Sequence, residues 1–422
     1  MSYLIVLLVT LLLFFILGCK NPQKHFAFLF SLVIYFVYIF LGPLDGIETD
    51  DLYLFGSYFG DYFNDTVLLY ILAILCFGSS YFYAFNTTVH DHDLRNKRWN
   101  LNDKYYVYLL LFFAAVAYMI SRKASISADQ TFSGGFLNYL IFLADSLIIG
   151  FLILLSEKKM KAWHLVLLIV TVIFYLILGF RYRIIILLAG VLYHFFIVNQ
   201  IRPSALIKWA VYLVGAFFII NFISVNREAF RSMEFSQVQW SSDSPYDMTP
   251  YQFVMHQTNN YKTDMMVHKY MDQNNQVGYD YGESMFMHVF IRIIPRTFFP
   301  LDTKPPIPQQ EIIKYSTGTH EGLFAGSAVS NIMEYYIAGG VTGIIIFMSV
   351  LGFIIGFISK RTDLNSARDR VIVMILIMVL FQEITRGYLP QNITLLCFLY
   401  LAFSLFYKKT NVSRINKHTH SL

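Results

Sequence analysis

The sequence predicts an all-α polytopic membrane protein, and three features of composition and patterning support that fold class. Hydrophobic residues make up 56% of the 422 residues and charged residues only 14%, whereas a soluble domain carries about 25% charged residues. Aromatic residues are abundant, with 41 phenylalanines and 30 tyrosines. The apolar residues form runs of about 17–22 residues, which is the helix length that crosses a hydrocarbon core about 30 Å thick.

Apolar runs define eleven predicted transmembrane helices. The first run, residues 3–17, has neither a preceding cation nor a small-residue cleavage site, so we expect a span and not a signal peptide. The chain then divides into spans one to eight (1–225), an extracytoplasmic segment (226–340), spans nine to eleven (341–407) and a basic tail (408–422). The predicted spans are 3–18, 25–41, 66–84, 105–120, 134–155, 163–180, 184–198, 205–225, 341–359, 370–385 and 391–407.

Lysine and arginine residues orient these helices. Basic clusters occur in alternate connections, and cytoplasmic connections are the ones enriched in such residues. We therefore expect the N-terminus outside the cytoplasm and the C-terminus inside it. The net charge of +5 reflects scattered clusters, so it does not indicate a nucleic-acid partner. The clusters are Lys20/Lys24, Arg95/Lys97/Arg98/Lys104, Lys158/Lys159/Lys161, Arg202/Lys208, Lys360/Arg361/Arg368/Arg370 and Lys408/Lys409/Arg414/Lys417.

A second set of cations falls on the predicted outer side, against this trend. Guanidinium groups match phosphate oxygens bidentately, so the set predicts an anion site. The alternative is that these side chains extend to lipid headgroups or pair with the acidic first outer loop. The predicted anion-site residues are Arg181, Arg183, Arg227, Arg231, Arg292, Arg296, Lys304 and Arg386.

Three carboxylates lie within or beside predicted spans. Asp145 sits midway along the fifth span, where an ionisable group is costly and is a functional candidate, or else a partner of an outer arginine. Glu383 precedes Arg386 by three residues, so the two side chains can pair. Glu334 lies close to the ninth span, where it is either paired structurally or chemically active.

The extracytoplasmic segment contains predicted amphipathic helices. "YQFVMHQTNNYKTDMMVHKYM" has helix-like apolar spacing. "GESMFMHVFIRIIPRTFFP" is apolar on one side but too short to span comfortably, so we expect a helix lying at the membrane interface. "AGSAVSNIMEYYIAGGVTGIII" is predicted to run as a helix through two glycines into the ninth span.

Parts of this sequence resemble the Wzy-type O-antigen polymerases, which join oligosaccharide repeat units. The stretches are "YGESMFMHVFIRIIPRTFFPLDTKPP", "AGSAVSNIMEYYIAGGVTG" and the turn "GFRYR" between two predicted spans. The pairs Pro295/Arg296 and Lys304/Pro305 carry most of the resemblance. It implies a fold of eleven to twelve spans similar to the GT-C-like O-antigen ligases. It also implies an enzyme at the outer (periplasmic) face of the bacterial inner membrane.

The resemblance further implies a metal-independent, inverting glycosyltransferase without a cofactor. Its donor and acceptor would be undecaprenyl-pyrophosphate-linked oligosaccharides held among membrane lipids, and a membrane protein that regulates chain length is left open as a partner. An acceptor hydroxyl would attack the anomeric carbon of the donor while the outer cations stabilise the leaving pyrophosphate. A general base would take the hydroxyl proton. The candidate bases are Glu334, His320 and Glu321.

Two other functions stay open at the level of sequence. Glu48, Asp50 and Asp51 in the first outer loop fit a GT-C glycosyltransferase that uses a polyprenyl-phosphate donor. A lipid-linked oligosaccharide flippase or transporter is the non-enzyme alternative, although we detect no internal repeat. Asp91 and Asp93 form a D-x-D pattern on the predicted cytoplasmic side, where we expect a solvated loop and no metal site.

Overall fold

The chain folds into two compact units that are each built from several stretches of sequence. The computed structural model describes residues 2–54, 56–88, 98–121, 135–178, 181–198, 258–274, 278–294, 298–300, 305, 308–317 and 329–410, with residues 222, 226, 229, 234, 236 and 238. Unit 1 comprises Met1–Thr88, Ser242–Lys360 and Ile377–Thr394, and unit 2 comprises Val89–Ser241, Arg361–Leu376 and Leu395–Leu422.

Helices dominate the first half of the described chain, close to the apolar runs that predicted them. In the second helix the hydrogen-bonding pattern widens to a π-helical stretch, Phe36–Leu41, before ordinary helix resumes. The helices are α1 (Ser2–Gly18), α2 (Phe26–Tyr35), α3 (Gly42–Glu48), α4 (Phe63–Thr87), α5 (Tyr105–Ser121), α6 (Gly135–Ser156), α7 (Ala162–Ile177) and α8 (Arg181–Val198).

The second half of the described chain adds helices inside and outside the predicted spans. A π-helical turn, Glu283–Met287, leads directly into α10, so residues 283–293 form one short helical segment. The helices are α9 (Asn260–Gln273), α10 (His288–Ile293), α11 (Pro308–Thr317), α12 (Asn331–Arg361), α13 (Ala367–Arg386) and α14 (Leu389–Phe406).

These helices support the predicted class of polytopic membrane protein. Four stretches of the described chain are long and apolar enough to cross a membrane, namely Phe26–Glu48, Gly60–Thr87, Asn331–Arg361 and Leu389–Phe406. Five shorter apolar helices accompany them. The predicted eighth span lies outside the described residues except for Phe222. The number of spans and their orientation therefore stay predictions.

Helix α12 is not the continuous helix that the sequence predicted. Its backbone leaves helical geometry at Gly339 and Gly340, and Gly340 adopts φ 61° and ψ −145°, a conformation that favours glycine. The hydroxyl of Tyr279 also lies where a side chain at Gly340 would stand. Because the break removes helical partners, the Ile337 carbonyl accepts the backbone N–H of Asp280 instead, at 3.1 Å.

In unit 1, α12 packs closely on α4 through two glycines. A Cβ added at Gly352 would lie 2.2 Å from the carbonyl oxygen of Phe77, and one at Gly356 would lie 2.3 Å from that of Tyr81. Small residues four apart let membrane helices approach backbone to backbone. The spacing is visible in the sequence as "GFIIG", but the partner helix becomes apparent only in the structure.

Helix α9 lies against the outer end of α4 through three pairs of polar side chains. The three residues on each side are spaced by four, so they fall on one face of each helix. We call these contacts the polar ladder. Its pairs are Tyr62 donating to Asp272 at 2.7 Å, Thr66 Oγ1 beside His268 Nδ1 at 2.9 Å, and Tyr70 donating to Asp264 at 2.8 Å.

The middle pair of the polar ladder contains a buried histidine. The His268 ring contacts the rings of Tyr62 and Tyr336, with centroids 5.5 and 5.0 Å away. Burial lowers the pKa of His268, and the nearby carboxylates of Asp65 and Asp272 only partly oppose this effect. The imidazole is therefore neutral at physiological pH, and its bond to Thr66 is a neutral hydrogen bond.

Unit 2 contains a two-stranded antiparallel sheet that the sequence did not predict. Strand β3 (Arg98–Leu101) pairs with β4 (Tyr407–Thr410), with Leu101 opposite Tyr407. Arg368 lies between two aromatic rings here, 4.6 Å from the centroid of Trp99 and 5.5 Å from that of Phe403. The predicted basic tail thus begins as a strand. A second strand pair, β1 (Tyr53–Leu54) with β2 (Ser57–Tyr58), forms a hairpin in unit 1.

We expect Gly352→Ala to destabilise the protein because the new methyl group must displace backbone atoms of α4. Overpacking of this kind costs about 1–3 kcal/mol, so the melting temperature of the purified protein in detergent should fall. Gly278→Ala is the matched control, since a Cβ at Gly278 meets nothing within 4 Å. Indistinguishable melting of the two variants would contradict the proposed close contact.

Candidate functional site

The carboxylate of Glu334 lies in the interior of unit 1, in the first turn of α12. Glu334 is only 1% exposed. Oε1 accepts the backbone N–H of Leu389 at 3.0 Å, whereas Oε2 is buried and has no hydrogen-bond partner among the described residues. The first turn of a helix favours negative charge. Glu334 therefore has one oxygen bonded to the backbone and one buried oxygen that receives no donor from the described residues.

A second buried carboxylate, Glu383 of α13, is fully occupied. Tyr335 donates its hydroxyl to Oε1 and Asn392 donates its amide to Oε2, both at 2.6 Å. The expected pairing of Glu383 with Arg386 is therefore wrong. Arg386 is the last residue of α13 and its side chain is exposed, while Glu383 faces the interior one turn earlier.

The turn after Arg386 is held tightly against the start of α12. Gly387 adopts φ 44°, and a Cβ there would lie 2.4 Å from the carbonyl oxygen of Ser330, so the position requires glycine. The side-chain amide of Gln309 donates to the Gly387 carbonyl at 2.7 Å. This turn carries the Leu389 N–H to Glu334. The structure thus places two predicted site residues, Glu334 and Arg386, on adjoining chain segments.

A third buried carboxylate, Asp264 of α9, anchors the start of α12. Oδ1 accepts the backbone N–H of Ser330 and Oδ2 accepts the hydroxyl of Tyr70, both at 2.8 Å. Ser330 in turn accepts the N–H of Met333 on its side-chain oxygen at 3.3 Å, which caps α12. Burial raises the pKa of Asp264 to about 6, although the hydrogen bonds from Ser330 and Tyr70 lower it.

Buried amide and hydroxyl groups continue this polar region next to Glu334. The Asn331 amide donates to the Tyr35 hydroxyl at 2.9 Å, and both residues are fully buried. Several buried polar groups close together destabilise a protein unless each has a hydrogen-bond partner or binds a ligand. Together with the carboxylates, they make the start of α12 the candidate site of unit 1.

Sequence reasoning singled out Glu334 but missed most of its surroundings. Asp264 lay in a stretch assigned only as an amphipathic helix, and Asn392 lay inside a predicted span. A usable signal existed for Asp264, because it is four residues before His268, which is four before Asp272. Polar residues at that spacing indicate a helix face that seeks a polar partner. No comparable pattern marks Asn392.

Unit 2 holds a buried ion pair that answers the question left open for Asp145. Arg183 near the start of α8 binds both carboxylate oxygens of Asp145 on α6, with Nε and Nη2 at 2.9 and 3.0 Å. The hydroxyl of Tyr182 donates to the same carboxylate at 3.2 Å. Both charged side chains are 1% exposed. Asp145 is therefore a partner of an arginine from the predicted outer set.

The remaining predicted residues are placed only in part. Arg181 begins α8 and Arg292 belongs to α10, but their side chains lie outside the described part of the chain. Of the first outer loop, Asp51 accepts a hydrogen bond from Lys262, and Glu48 is exposed at the end of α3. The residues that lie wholly outside the description are His320, Glu321, Arg227, Arg231, Arg296, Lys304, Asp91 and Asp93.

Metal-ligating side chains do not cluster within the described ranges. No group of three or more histidine, cysteine, aspartate or glutamate residues there is arranged to hold a metal ion. The three free cysteines, Cys19, Cys76 and Cys397, are exposed or half-buried.

Comparison with known proteins identifies a family. A family model described as O-antigen polysaccharide polymerase Wzy matches residues 1–410, which is nearly the whole chain and includes every candidate residue named above. No curated protein and no solved structure matches the chain. The expected similarity to O-antigen ligase folds therefore stays a prediction.

The raised pKa of Asp264 predicts a specific pH dependence of stability. The pKa of Asp264 is 3.8 in the unfolded chain and about 6 in the folded protein. Between pH 3.8 and about 6 the unfolded chain therefore releases the Asp264 proton while the folded protein keeps it, so stability falls as pH rises. The loss amounts to about 3 kcal/mol and is complete above that range. Asp264→Asn cannot ionise and should lack it. Melting curves from pH 4 to 7.5 should show the wild type losing stability relative to the variant, and parallel curves would refute the assignment.

The buried ion pair of unit 2 predicts asymmetric effects of substitution. Arg183→Gln leaves Asp145 charged without its partner, which costs about 3–5 kcal/mol. The double variant Asp145→Asn with Arg183→Gln removes both charges and should recover part of that loss. Lys159→Gln, at an exposed lysine of unit 2, is the control. Thermal unfolding that ranks the double variant below Arg183→Gln would argue against the pair.

Proposed function

Because the chain belongs to the family of the O-antigen polysaccharide polymerase Wzy, we propose that it lengthens a surface polysaccharide by joining undecaprenyl-pyrophosphate-linked repeat units. Members of this family are glycosyltransferase-type membrane enzymes that act on lipid-linked oligosaccharide repeat units. The proposal adds the identity of the lipid, the side of the membrane and the residues that act.

One observation carries the assignment of the active residue. Glu334 is fully buried, one of its oxygens is fixed by the Leu389 N–H, and the other has no partner among the described residues. A buried carboxylate oxygen without a donor is costly unless a ligand supplies one. A sugar hydroxyl is such a donor. Glu334 is therefore the proposed general base.

The reaction that follows is a single inverting displacement. The hydroxyl of the incoming repeat unit donates its proton to Glu334 as its oxygen bonds to the anomeric carbon of the donor chain. The bond between that carbon and the pyrophosphate oxygen breaks at the same time, and undecaprenyl pyrophosphate leaves with the electron pair. General-base assistance of this kind contributes about 10²–10⁴ in rate. No step of this scheme needs a metal ion or a cofactor.

Glu383 and Asp264 have positioning roles in this scheme. Both oxygens of Glu383 are bonded within the protein, so it holds Tyr335 and Asn392 and leaves no oxygen for substrate. Asp264 fixes the capping residue Ser330, and thereby the direction of the first turn of α12. Geometry held in this way is what keeps a reactive group in line with its substrate.

Cations of the predicted outer set are proposed to hold the pyrophosphate. Arg386 is exposed on the segment that adjoins Glu334, which supports a role for it in unit 1. Arg183 is already bound to Asp145, so its proposed contribution is to fix the start of α8 and the position of Arg181. The other members of the set are Arg227, Arg231, Arg292, Arg296 and Lys304, with His320 and Glu321 as further candidates for proton transfer.

The proposed location is the bacterial inner membrane, with the site on its periplasmic face. Alternate basic connections support an N-terminus in the periplasm and a C-terminus in the cytoplasm. Donor and acceptor then approach from the outer leaflet, where finished repeat units remain attached to lipid. A chain-length regulator in the same membrane is a proposed protein partner.

Replacement of Glu334 tests the proposal directly. A strain lacking the gene and supplied with Glu334→Gln should produce single repeat units on the lipid core and no long polymer, because the amide cannot take a proton. Gel analysis of the surface polysaccharide measures chain length, and immunoblotting of membranes confirms protein level. Wild-type chain length in this variant would end the assignment of Glu334.

Glu48→Gln is the matched control, because Glu48 is an exposed glutamate of the same unit. Polymer of normal length is expected from it. Loss of polymer in Glu48→Gln with normal polymer in Glu334→Gln would favour the polyprenyl-phosphate transferase that uses the first outer loop. Absence of any repeat unit in the deletion strain would point to flipping or an earlier step.

A further inference from the structure

We propose that the isoprenoid chain of the lipid-linked substrate binds to the outward apolar face of residues 283–294, an inference that rests on the proposed function. This outer apolar face consists of Phe286, Met287, Phe290 and Ile294. These side chains are between 42% and 67% exposed. Phe286, Met287 and Phe290 share one side of a short helical segment, and Ile294 follows that segment in an extended conformation.

The segment is inverted relative to a helix on the surface of a water-soluble protein. Two of its polar residues, Ser284 and His288, are 1% and 3% exposed and face the interior of unit 1, whereas Glu283 at its start is exposed. Its phenylalanines at 286 and 290 face outward, 49% and 67% exposed. Exposure of that surface to water would be unfavourable, because each aromatic side chain gains free energy only when it is removed from water. The apolar side of the segment after Glu283 therefore fits a hydrocarbon environment better than water.

This face continues into the apolar surface of α12. The Phe286 ring lies 6.0 Å from the ring of Phe347 on α12. Around Phe347, the apolar side chains of Val341, Ile345 and Ile346 are 42–51% exposed, as expected for a membrane helix in contact with lipid. A hydrocarbon chain can therefore pass from the bilayer onto the outer apolar face without crossing a polar surface.

The same surface leads to the proposed active residues. Phe347 also contacts the ring of Tyr335, with centroids 5.3 Å apart, and Tyr335 is the neighbour of Glu334 and the donor to Glu383. A second connection runs on the inner side, where Ser284 accepts the N–H of Gln309, whose amide donates to the Gly387 turn. A chain seated on the outer apolar face would therefore end beside the candidate site.

The sequence adds charge complementarity to this geometry. Arg292 and Arg296 flank Ile294 in the sequence, two residues before it and two after it, and Lys304 follows further along the chain. An apolar face flanked by cations matches a ligand that has a long hydrocarbon tail and a pyrophosphate head. Ordinary phospholipid lacks the pyrophosphate, so the isoprenoid chain of the substrate is the occupant that these features favour.

Site-specific photocrosslinking tests the proposal in the full-length protein. The photoreactive amino acid p-benzoylphenylalanine replaces Phe290 in the Glu334→Gln background, so that binding is measured without turnover. Membrane vesicles receive radiolabelled undecaprenyl diphosphate. Phe353 on α12 is the matched control position, because it is a phenylalanine of the same unit that is 44% exposed. Met287 serves as a second test position if the Phe290 variant is not inserted into the membrane.

Labelling at position 290 should exceed labelling at 353 about tenfold, the ratio that a modest binding preference produces. Unlabelled undecaprenyl diphosphate should compete, whereas phosphatidylglycerol should not. Equal labelling at both positions would show that bulk lipid alone covers the face and would overturn the proposal. A crosslink to a second copy of the chain, or no lipid labelling at either test position, would overturn it as well.

The two proposals fail in different ways. Suppose that Glu334→Gln abolishes long polymer as expected, but position 290 shows no labelling that unlabelled undecaprenyl diphosphate can compete away. In that case only the proposal about the lipid-binding face is wrong. If the competed label is present and Glu334→Gln still makes long polymer, the face stands as a polyprenyl-diphosphate site and the role of Glu334 fails.

Discussion

The break in α12 at Gly339 and Gly340 is the constraint on which the arrangement of unit 1 depends. An uninterrupted membrane helix satisfies its own backbone groups, and a break releases some of them where water is scarce. The backbone N–H of Asp280 bonds the Ile337 carbonyl next to the break, and Asp264 bonds the Ser330 N–H at the start of the helix. The part of α12 before the break, residues 331–338, is thereby held at both ends, and it carries Glu334.

Glu334 and Glu383 are neighbours in space, but their surroundings give them different numbers of hydrogen-bond donors. Both oxygens of Glu383 receive a donor from the protein, whereas Glu334 receives one at a single oxygen. Environment alone can give two like carboxylates separate roles. In this site the difference arises from the left-handed turn at Gly387, which brings the Leu389 N–H to one side of Glu334 and directs Arg386 outward.

Much of the fold could be predicted from the sequence, and less of the site. Apolar runs report the length of each membrane helix directly, so the helices appear close to where they were expected. The pairing of Glu383 with Arg386 was wrong because spacing along one helix ignores Asn392 and Tyr335, which come from other helices. For Asp145 the sequence left open a functional role or a partnership with an outer arginine, and choosing Arg183 as its partner required the packing of α6 on α8. Strand β4 was missed because Lys408 and Lys409 indicate a basic tail, and its partner strand, Arg98–Leu101, lies far away in sequence.

The polar ladder has a consequence for how such proteins diversify. Its three pairs bind α9 to a helix that lies far away in sequence, so a change on one helix face alters the partners of the other. An apolar residue at 268 removes the α9 partner of Thr66, whose hydroxyl keeps its bond to the Tyr62 carbonyl, and loss of Asp272 removes the acceptor of the Tyr62 hydroxyl. Exchange of α9 for another sequence is therefore expected to preserve these contacts only when the matching residues at the start of α4 change with it.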